Sequence, residues 1–230
     1  KMKNYKVKWI KKLINIEKSC TIFIANEFFD ALPIKQFIKK NNQWYEKYIE
    51  NKKEKRIIVY KKKDIKKYEK LIGINLSNNN KFIEFAPKTL EILKKLSKII
   101  NSYNGGLLII DYGYTEEKMK NTIQAIKNHK KVNFLDFFGE ADITYNLNFN
   151  LIKKFISKLK LSINGLTTQE KFLINLGILY RAEIISKNLP FSKKADIYYR
   201  LKRLIGKNEM GNLFKVMFIT KKNTRFKLGF

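Results

Sequence analysis

The chain has 230 residues, of which 44% are hydrophobic and 13% aromatic, so it is long enough and apolar enough to bury a sizeable core. This composition excludes intrinsic disorder for most of the chain. The 49 Lys and Arg residues outnumber the 20 Asp and Glu residues, which gives a formal net charge of +29. The single cysteine and single histidine exclude an intramolecular disulfide and a Cys/His zinc centre, so we predict no metal site.

Lysine dominates the positive charge, because only five of the basic residues are arginine. The lysines are dispersed and accompany abundant Asn and Ile, a mixture that AT-rich codons produce without selection for a polyanion. We therefore do not predict specific nucleic-acid binding. The longest aliphatic run, 107–110, is far shorter than the roughly 20 residues of a membrane span. We expect a protein without a membrane span, in a bacterial cytoplasm or alternatively in the mitochondrial matrix.

Short β-type runs alternate with helix-period segments in the first part of the chain. Buried strands are predicted at 21–26 and 105–113, and an amphipathic helix at 89–103 directly precedes the second strand. This alternation predicts an α/β fold built on a partly parallel sheet. An inserted β region is predicted between the two buried strands, at 44–50, 56–61 and 81–85.

The sequence becomes mostly helical from about residue 142. The periodicity predicts helices followed by one apolar closing strand, at 151–159, 168–176, 179–187, 193–205 and 213–219. No Pro/Gly-rich linker separates this part from the first. We therefore expect the two parts, 1–141 and 142–230, to form one globular unit.

Polar residues follow both predicted buried strands. Asn26 and Glu27 end the first strand, and Asp111 and Tyr112 end the second. Because ligands of parallel sheets bind beyond the carboxyl ends of the strands, these side chains are expected in one place. Glu27 and Asp30 are three residues apart, a spacing that suits binding a cation or accepting a proton, and equally suits helix capping.

Five segments, taken in order and with similar spacing, resemble the motifs of the MidA family of S-adenosylmethionine-dependent methyltransferases. They are 25–33 (ANEFFDALP), 105–114 (GGLLIIDYGY), 139–149 (GEADIT and NF), 168–178 (TQ, FL and LGI) and 210–216 (MG and LFKV). Two positions depart from the family pattern, because Phe138 stands where Pro is expected and Asn148 where Asp is common. The resemblance covers roughly residues 21–219.

The resemblance implies a class I, Rossmann-like methyltransferase that uses S-adenosylmethionine. It further implies methylation of arginine in a protein substrate, with a subunit of respiratory complex I as the candidate partner. A guanidinium suits paired carboxylates, which bind it bidentately. On this basis Glu27 and Asp30 are the catalytic candidates. The substrate-binding candidates are Asn26, Gln36, Asp111, Tyr112 and Asp142, and the cofactor-side candidates are Asn26 and Glu27.

One expected element is not found in the sequence, namely a strand followed by the glycine-rich turn that approaches the cofactor. Residues 7–9 (VKW) resemble the family's third strand. The first part of the cofactor domain is therefore expected to be missing, through truncation or because a separate N-terminal fragment supplies it. Two other function classes stay open, a noncatalytic remnant or protein-binding module and an RNA-binding or RNA-modifying protein.

Overall fold

The computed structural model describes residues 6–53, 55–78, 80–137 and 139–230, so the unusual Phe138 lies outside the described residues. The elements in chain order are β1 (Thr21–Asn26), β2 (Lys35–Lys40), β3 (Gln43–Lys52), β4 (Lys55–Lys62), α1 (Lys66–Ile72), β5 (Phe82–Phe85), α2 (Pro87–Tyr103), β6 (Gly105–Tyr114), β7 (Gln124–Lys127), β8 (Lys130–Val132), β9 (Asp142–Thr144), β10 (Leu147–Asn148), α3 (Phe149–Lys158), β11 (Leu161–Thr168), α4 (Gln169–Asn175), α5 (Ile178–Ser186), α6 (Phe191–Ile205), α7 (Met210–Leu213) and β12 (Phe214–Lys221).

The central sheet is mixed and has the order β1-β6-β12-β11, with the short β10 paired to the end of β6. Strands β1 and β6 are parallel, whereas β12 is antiparallel to both β6 and β11. The carboxyl ends of β1 and β6 therefore meet at one edge of the sheet. The predicted α/β class and the two predicted buried strands are confirmed.

Helix α2 connects the inserted region to β6 and packs an apolar stripe on the sheet. Pro87 starts the helix, where its missing N–H removes no helical hydrogen bond. Leu90, Leu93 and Ile100 are buried on its inner face. At the turn into β6, Gly105 has a φ of +99°, and an added Cβ would lie 2.0 Å from the carbonyl oxygen of Thr21. Only glycine fits here, where the first residue of β6 lies so close to the first residue of β1.

The inserted β region is an antiparallel sheet of order β4-β3-β2-β5. Asn41 and Asn42 form the tight turn between β2 and β3 with φ values of 47° and 59°, a conformation in which Asn is favoured. Phe37 and Phe85 stack in its core with ring centroids 6.2 Å apart. The predicted insertion is confirmed, although the sequence analysis missed β2, whose lysines mask a short apolar pair.

The later part of the chain contains the predicted helices as α3 to α6 and the predicted closing strand as β12. The expectation of a mostly helical region omitted β11, which pairs with β12 along its length. Gly165 interrupts the apolar pattern of β11 and hides the strand signal. The division at residues 141 and 142 stays a prediction, and the second part supplies three strands, β10, β11 and β12, to the central sheet.

Asn148, which departs from the family's common Asp, caps α3. Its side-chain oxygen accepts a hydrogen bond from the Leu151 N–H at 2.9 Å. Asn and Asp cap helices about equally well, so the substitution keeps the local structure. Residues 6–10 form neither a helix nor a strand, and Trp9 is 92% exposed. The strand that the resemblance predicted at residues 7–9 is therefore wrong for this structure, since these residues pair with no described strand.

Candidate active site

The site lies at the carboxyl ends of β1 and β6. The Glu27 N–H donates to the Ile110 carbonyl at 3.0 Å and extends the parallel ladder by one residue. The chain then leaves the strand direction because Glu27 has a φ of 45°, in the left-handed region that non-glycine residues rarely adopt. The exposed Asn26 amide donates to the Glu27 carboxylate at 3.3 Å. This strained turn presents Glu27 to solvent and returns the following residues over β6.

The carboxyl group of Asp111 holds this turn in place. Asp111 is fully buried, and its Oδ2 accepts from the backbone N–H groups of Phe29 at 3.0 Å and Asp30 at 3.3 Å. Its Oδ1 accepts from the Tyr112 N–H at 2.9 Å. A residue near the end of β6 thus fixes the loop after β1, which brings two of the predicted sequence segments together.

Asp30 is buried beside Asp111, and the described residues give its Oδ1 no hydrogen-bond partner. Burial raises the pKa of Asp30, and the charge of Glu27 raises it further. Burial also raises the pKa of Asp111 to about 7, with the charge of Asp30 as the second cause. Within the described part of the chain no lysine or arginine forms an ion pair with these acids. The cluster of Glu27, Asp30 and Asp111, the carboxylate cluster, suits a cationic ligand.

An aromatic wall borders the carboxylate cluster. The Tyr112 ring lies 4.1 Å from the ring of Phe214, centroid to centroid. Burial raises the pKa of Tyr112 most, followed by the charges of the three carboxylates, whereas Arg203 lowers it. On the other side, the Tyr145 N–H donates to the Asp30 carbonyl at 3.1 Å.

Three of these neighbours, Arg203, Phe214 and Tyr145, were not among the predicted site residues. Phe214 belongs to the closing motif, and Tyr145 lies inside the third segment, directly after GEADIT. The family motifs could therefore have pointed to Phe214 and Tyr145 as site residues. Arg203 is one of several basic residues in α6, so nothing in the surrounding sequence marked it as a neighbour of the site.

Gln36 and Asp142 lie on other sheets. The Gln36 amide nitrogen donates to Glu84 and, at 2.8 Å, to Asn121, while its oxygen accepts from Lys47 at 2.8 Å. Two residues of the insertion, together with Asn121, thus already engage this amide. Asp142 begins β9, pairs with Ile126 and is exposed. In the described residues neither side chain forms a hydrogen bond or ion pair with the carboxylate cluster, so their substrate-binding roles stay predictions.

A model of S-adenosyl-L-methionine-dependent methyltransferases matches residues 1–167. The chain belongs to this family. The predicted MidA membership is thereby confirmed. The match fits the motif order seen at the ends of β1 and β6, and it extends through β10, α3 and most of β11. Among the residues that the structure describes, no three or more Asp, Glu, His or Cys side chains are arranged so that they could hold a metal ion.

Curated relatives carry a more specific name. The chain is 29% identical over 222 residues to the mitochondrial protein arginine methyltransferase NDUFAF7 homolog of Caenorhabditis elegans, with 95% of this chain and 51% of that protein covered. It is 30% identical over 218 residues to NDUFAF7 of Xenopus laevis, with 90% and 47% covered. The chain thus spans about half the length of the curated relatives it matches.

Solved structures agree on the fold. A Burkholderia thailandensis protein bound to S-adenosyl-homocysteine aligns with a TM-score of 0.77 at 19% identity, covering 96% of this chain and 58% of that one. A native structure from the same organism gives a TM-score of 0.80 at 18% identity, covering 96% and 60%. The predicted methyltransferase fold is confirmed. No helix among the described residues combines the length and apolar character needed to cross a membrane.

Proposed function

We propose that this chain is part of an enzyme that transfers a methyl group from S-adenosylmethionine to an arginine of a protein. The observation that carries the proposal is the carboxylate cluster, where the Asp30 Oδ1 is buried without a partner. A guanidinium supplies both the positive charge and the hydrogen-bond donors that such acids lack. The names of the relatives, which are protein arginine methyltransferases, support the same substrate class.

The proposed chemistry is a displacement at the methyl carbon. Glu27 and Asp30 bind the guanidinium and aim one of its nitrogens, and Asp111 holds their loop through its three backbone hydrogen bonds. A nitrogen–carbon bond forms while the sulfur–carbon bond breaks, and the nitrogen gives up a proton. Asp30, whose pKa burial raises, accepts that proton, and the acids stabilise the cationic arginine throughout.

The residues present fit the reacting end of the cofactor. When bound, S-adenosylmethionine supplies an activated methyl group on a positively charged sulfur, which the exposed acid Glu27 and the amide of Asn26 complement. Within the described residues, no strand is followed by a glycine-rich turn of the kind that cradles the adenosine portion. We therefore assign Asn26 and Glu27 to the cofactor's reacting end alone.

The partner and compartment are proposals of the same kind. The substrate we propose is a subunit of respiratory complex I, as the family resemblance implies. The relatives are named as mitochondrial proteins, which favours the mitochondrial matrix over a bacterial cytoplasm.

The test is to isolate the tagged chain from its source cells, with whatever accompanies it, and to measure transfer of labelled methyl groups to protein. Mass spectrometry of the products should find methylarginine. Glu27→Ala should abolish the transfer because it removes one arm of the guanidinium clamp. Glu91→Ala on α2, which removes an exposed acid paired with Lys88, should leave the transfer unchanged. Methylation of lysine or of nucleic acid instead of arginine would contradict the proposal.

A further inference from the structure

Helices α5 and α6 form a groove whose floor is apolar. The groove has a volume of about 310 Å³. Two arginines and one aspartate stand among its lining residues, which are Ile178, Arg181, Ala182, Ile185, Asp196, Ile197, Arg200, Leu201 and Leu204. We call this feature the α5–α6 groove.

The surface around the α5–α6 groove is unusually apolar for a solvent-facing region. Half of the exposed large hydrophobic side chains of the described residues lie in the segment 174–213. Ile185 is 45% exposed, and Phe191, at the start of α6, is 87% exposed. In α6 only Leu201 is buried, so most of this helix has no protein neighbour over it. Apolar surface of this extent on a folded protein marks an interaction site.

The charge around the groove selects the kind of partner. Between residues 174 and 207 the sequence contains eight basic and two acidic residues. One of the two acids, Asp196, is already paired with Arg200 at 3.0 Å. Within the described part of the chain the guanidinium of Arg181 makes no ion pair. The groove therefore suits an acidic partner, whereas a second copy of this chain, itself carrying a net charge of +29, would be repelled.

The shape of the groove favours a helix over a flat surface. An apolar furrow between two helices accepts the projecting side chains of a third helix, read at positions i, i+3, i+4 and i+7. A bilayer surface is flat on this scale and would contact the rims of the furrow rather than its floor. Apolar floor residues such as Ile185 and Leu201 also offer nothing to RNA phosphates.

Helix α6 links the groove to the candidate active site. Leu204 lines the groove, and its carbonyl accepts from the Gln169 amide at 2.9 Å, which fixes α6 against α4. The preceding residue, Arg203, lies near enough to Tyr112 for its charge to act on that side chain. Helix α6 therefore carries both a residue of the groove and a residue whose charge acts on Tyr112, the neighbour of Asp111.

We propose that the α5–α6 groove docks an acidic amphipathic helix of the protein whose arginine is methylated. The identification of this partner as the substrate rests on the proposed function, whereas the docking of an acidic helix does not. Apolar anchors of the helix fill the floor between Ile185 and Leu204, and its flanking acids meet Arg181 and Arg200. The groove thereby selects the substrate away from the reacting atoms.

The test measures binding of a fluorescein-labelled helical peptide to the whole chain by fluorescence anisotropy. The probe contains Leu at i, i+3, i+4 and i+7 and Glu at the flanks, and the controls are a scrambled peptide and one with Lys in place of Glu. We expect only the first peptide to bind. Ile185→Asp should weaken its binding at least about tenfold, and Arg181→Glu about fivefold. Leu71→Asp and Lys67→Glu, exposed positions on α1, are the matched controls.

Three results would overturn the docking proposal. In the first, Ile185→Asp leaves peptide binding unchanged, or the scrambled peptide binds equally well. In the second, the chain binds phosphatidylglycerol vesicles or single-stranded RNA, and that binding is lost in Ile185→Asp. In the third, sedimentation finds a dimer that Ile185→Asp dissociates. Peptide binding that behaves as expected without any arginine methylation would instead contradict the proposed function and leave the docking intact.

Discussion

Buried carboxylates lie in two regions of the molecule, and their binding partners differ between the two. In the insertion, Glu46 is buried and receives an ion pair from Lys35, a second from Lys63 at 3.9 Å and a hydrogen bond from the Tyr48 hydroxyl at 2.7 Å. In the carboxylate cluster, Asp30 and Asp111 receive backbone hydrogen bonds but, among the described residues, no cation.

Glu84, a second buried acid of the insertion, also has partners that favour its ionised form. Burial raises its pKa, but hydrogen bonds from Thr122 and Gln36 and the charge of Lys47 act in the opposite direction. Buried acids are stable when the fold supplies their counterions and costly when it does not. The insertion thus uses its acids to hold strands together, whereas the acids of the carboxylate cluster have no paired cation among the described residues. Under the proposed function, this difference separates an acid that holds the fold together from an acid that binds the substrate.

The largest expected effect is on catalysis. Asp30→Asn removes the charge and the proton acceptor while preserving the shape of the side chain. We expect the rate of arginine methylation by the isolated enzyme to fall by about 100-fold to 1,000-fold, as when a transition-state-stabilising group is removed. Steady-state kinetics check this, with Glu140→Ala, an exposed acid paired with Lys127, as the control. A rate within about threefold of the unsubstituted enzyme would place the proton acceptor elsewhere.

The second effect is a pH dependence of stability. The raised pKa of Asp111, about 7 against an ordinary 3.8, means that the folded state keeps a proton that the unfolded state has lost. Stability from this residue is therefore present at low pH and lost as the pH rises toward 7, by about 4 kcal/mol in all. Urea unfolding from about pH 4 to pH 7 should show this fall relative to Asp111→Asn. A constant difference between the two proteins would show that Asp111 ionises normally.

The third effect tests the insertion. Glu46→Ala leaves Lys35 and the Tyr48 hydroxyl without their common partner, and we expect a loss of about 2 kcal/mol in the free energy of unfolding. The rate of methyl transfer at a temperature where the variant stays folded should not change. Denaturant unfolding and the methylation assay measure the two quantities. A large loss of activity in the folded variant would erase the distinction between the two regions.

The smallest effect concerns the strained turn. Glycine tolerates the left-handed backbone of Glu27, so Glu27→Gly should leave the protein as stable or raise its stability by up to about 1 kcal/mol. The same substitution should abolish methyl transfer, because the side chain is the proposed ligand. Thermal unfolding and the methylation assay test the pair of outcomes. If glycine destabilises the fold instead, the strained conformation serves stability rather than ligand binding.

Apolar periodicity and glycine positions correctly predicted the elements whose signal lies within their own sequence. The apolar periodicity of α2 and the glycine-bounded run of β6 were sufficient for both elements. Strand β2 was not predicted because lysines surround its apolar pair at 37–38. Its pairing with β5 also depends on residues distant in the sequence. Strand β11 was not predicted because Gly165 interrupts its apolar pattern, and its pairing with β12 likewise depends on distant residues.

The candidate site was predictable where it follows strand ends. Parallel pairing of β1 and β6 brings Glu27 and Asp30 to Asp111, as the strand-end argument expects. The direction of Gln36 was not predictable, because a strand turns alternate residues to opposite faces and the identity of the inner face depends on Glu84 and Asn121. The approach of Arg203 depends on the packing of α6, about 90 residues further along the chain.

The most direct test of the central claim is a carboxyl carbon NMR titration of Asp111 in the whole chain. It is performed with about 0.1 M methylguanidinium chloride and, for comparison, the same concentration of sodium chloride. If the carboxylate cluster binds guanidinium, the pKa of Asp111, about 7, should fall by about one unit in methylguanidinium, since a nearby cation favours the ionised carboxyl. The carboxyl carbon chemical shift of Glu46, whose side chain is already paired with Lys35, should be the same in both salts. An Asp111 titration that is the same in the two salts would contradict the claim that the uncompensated acids bind the guanidinium of arginine.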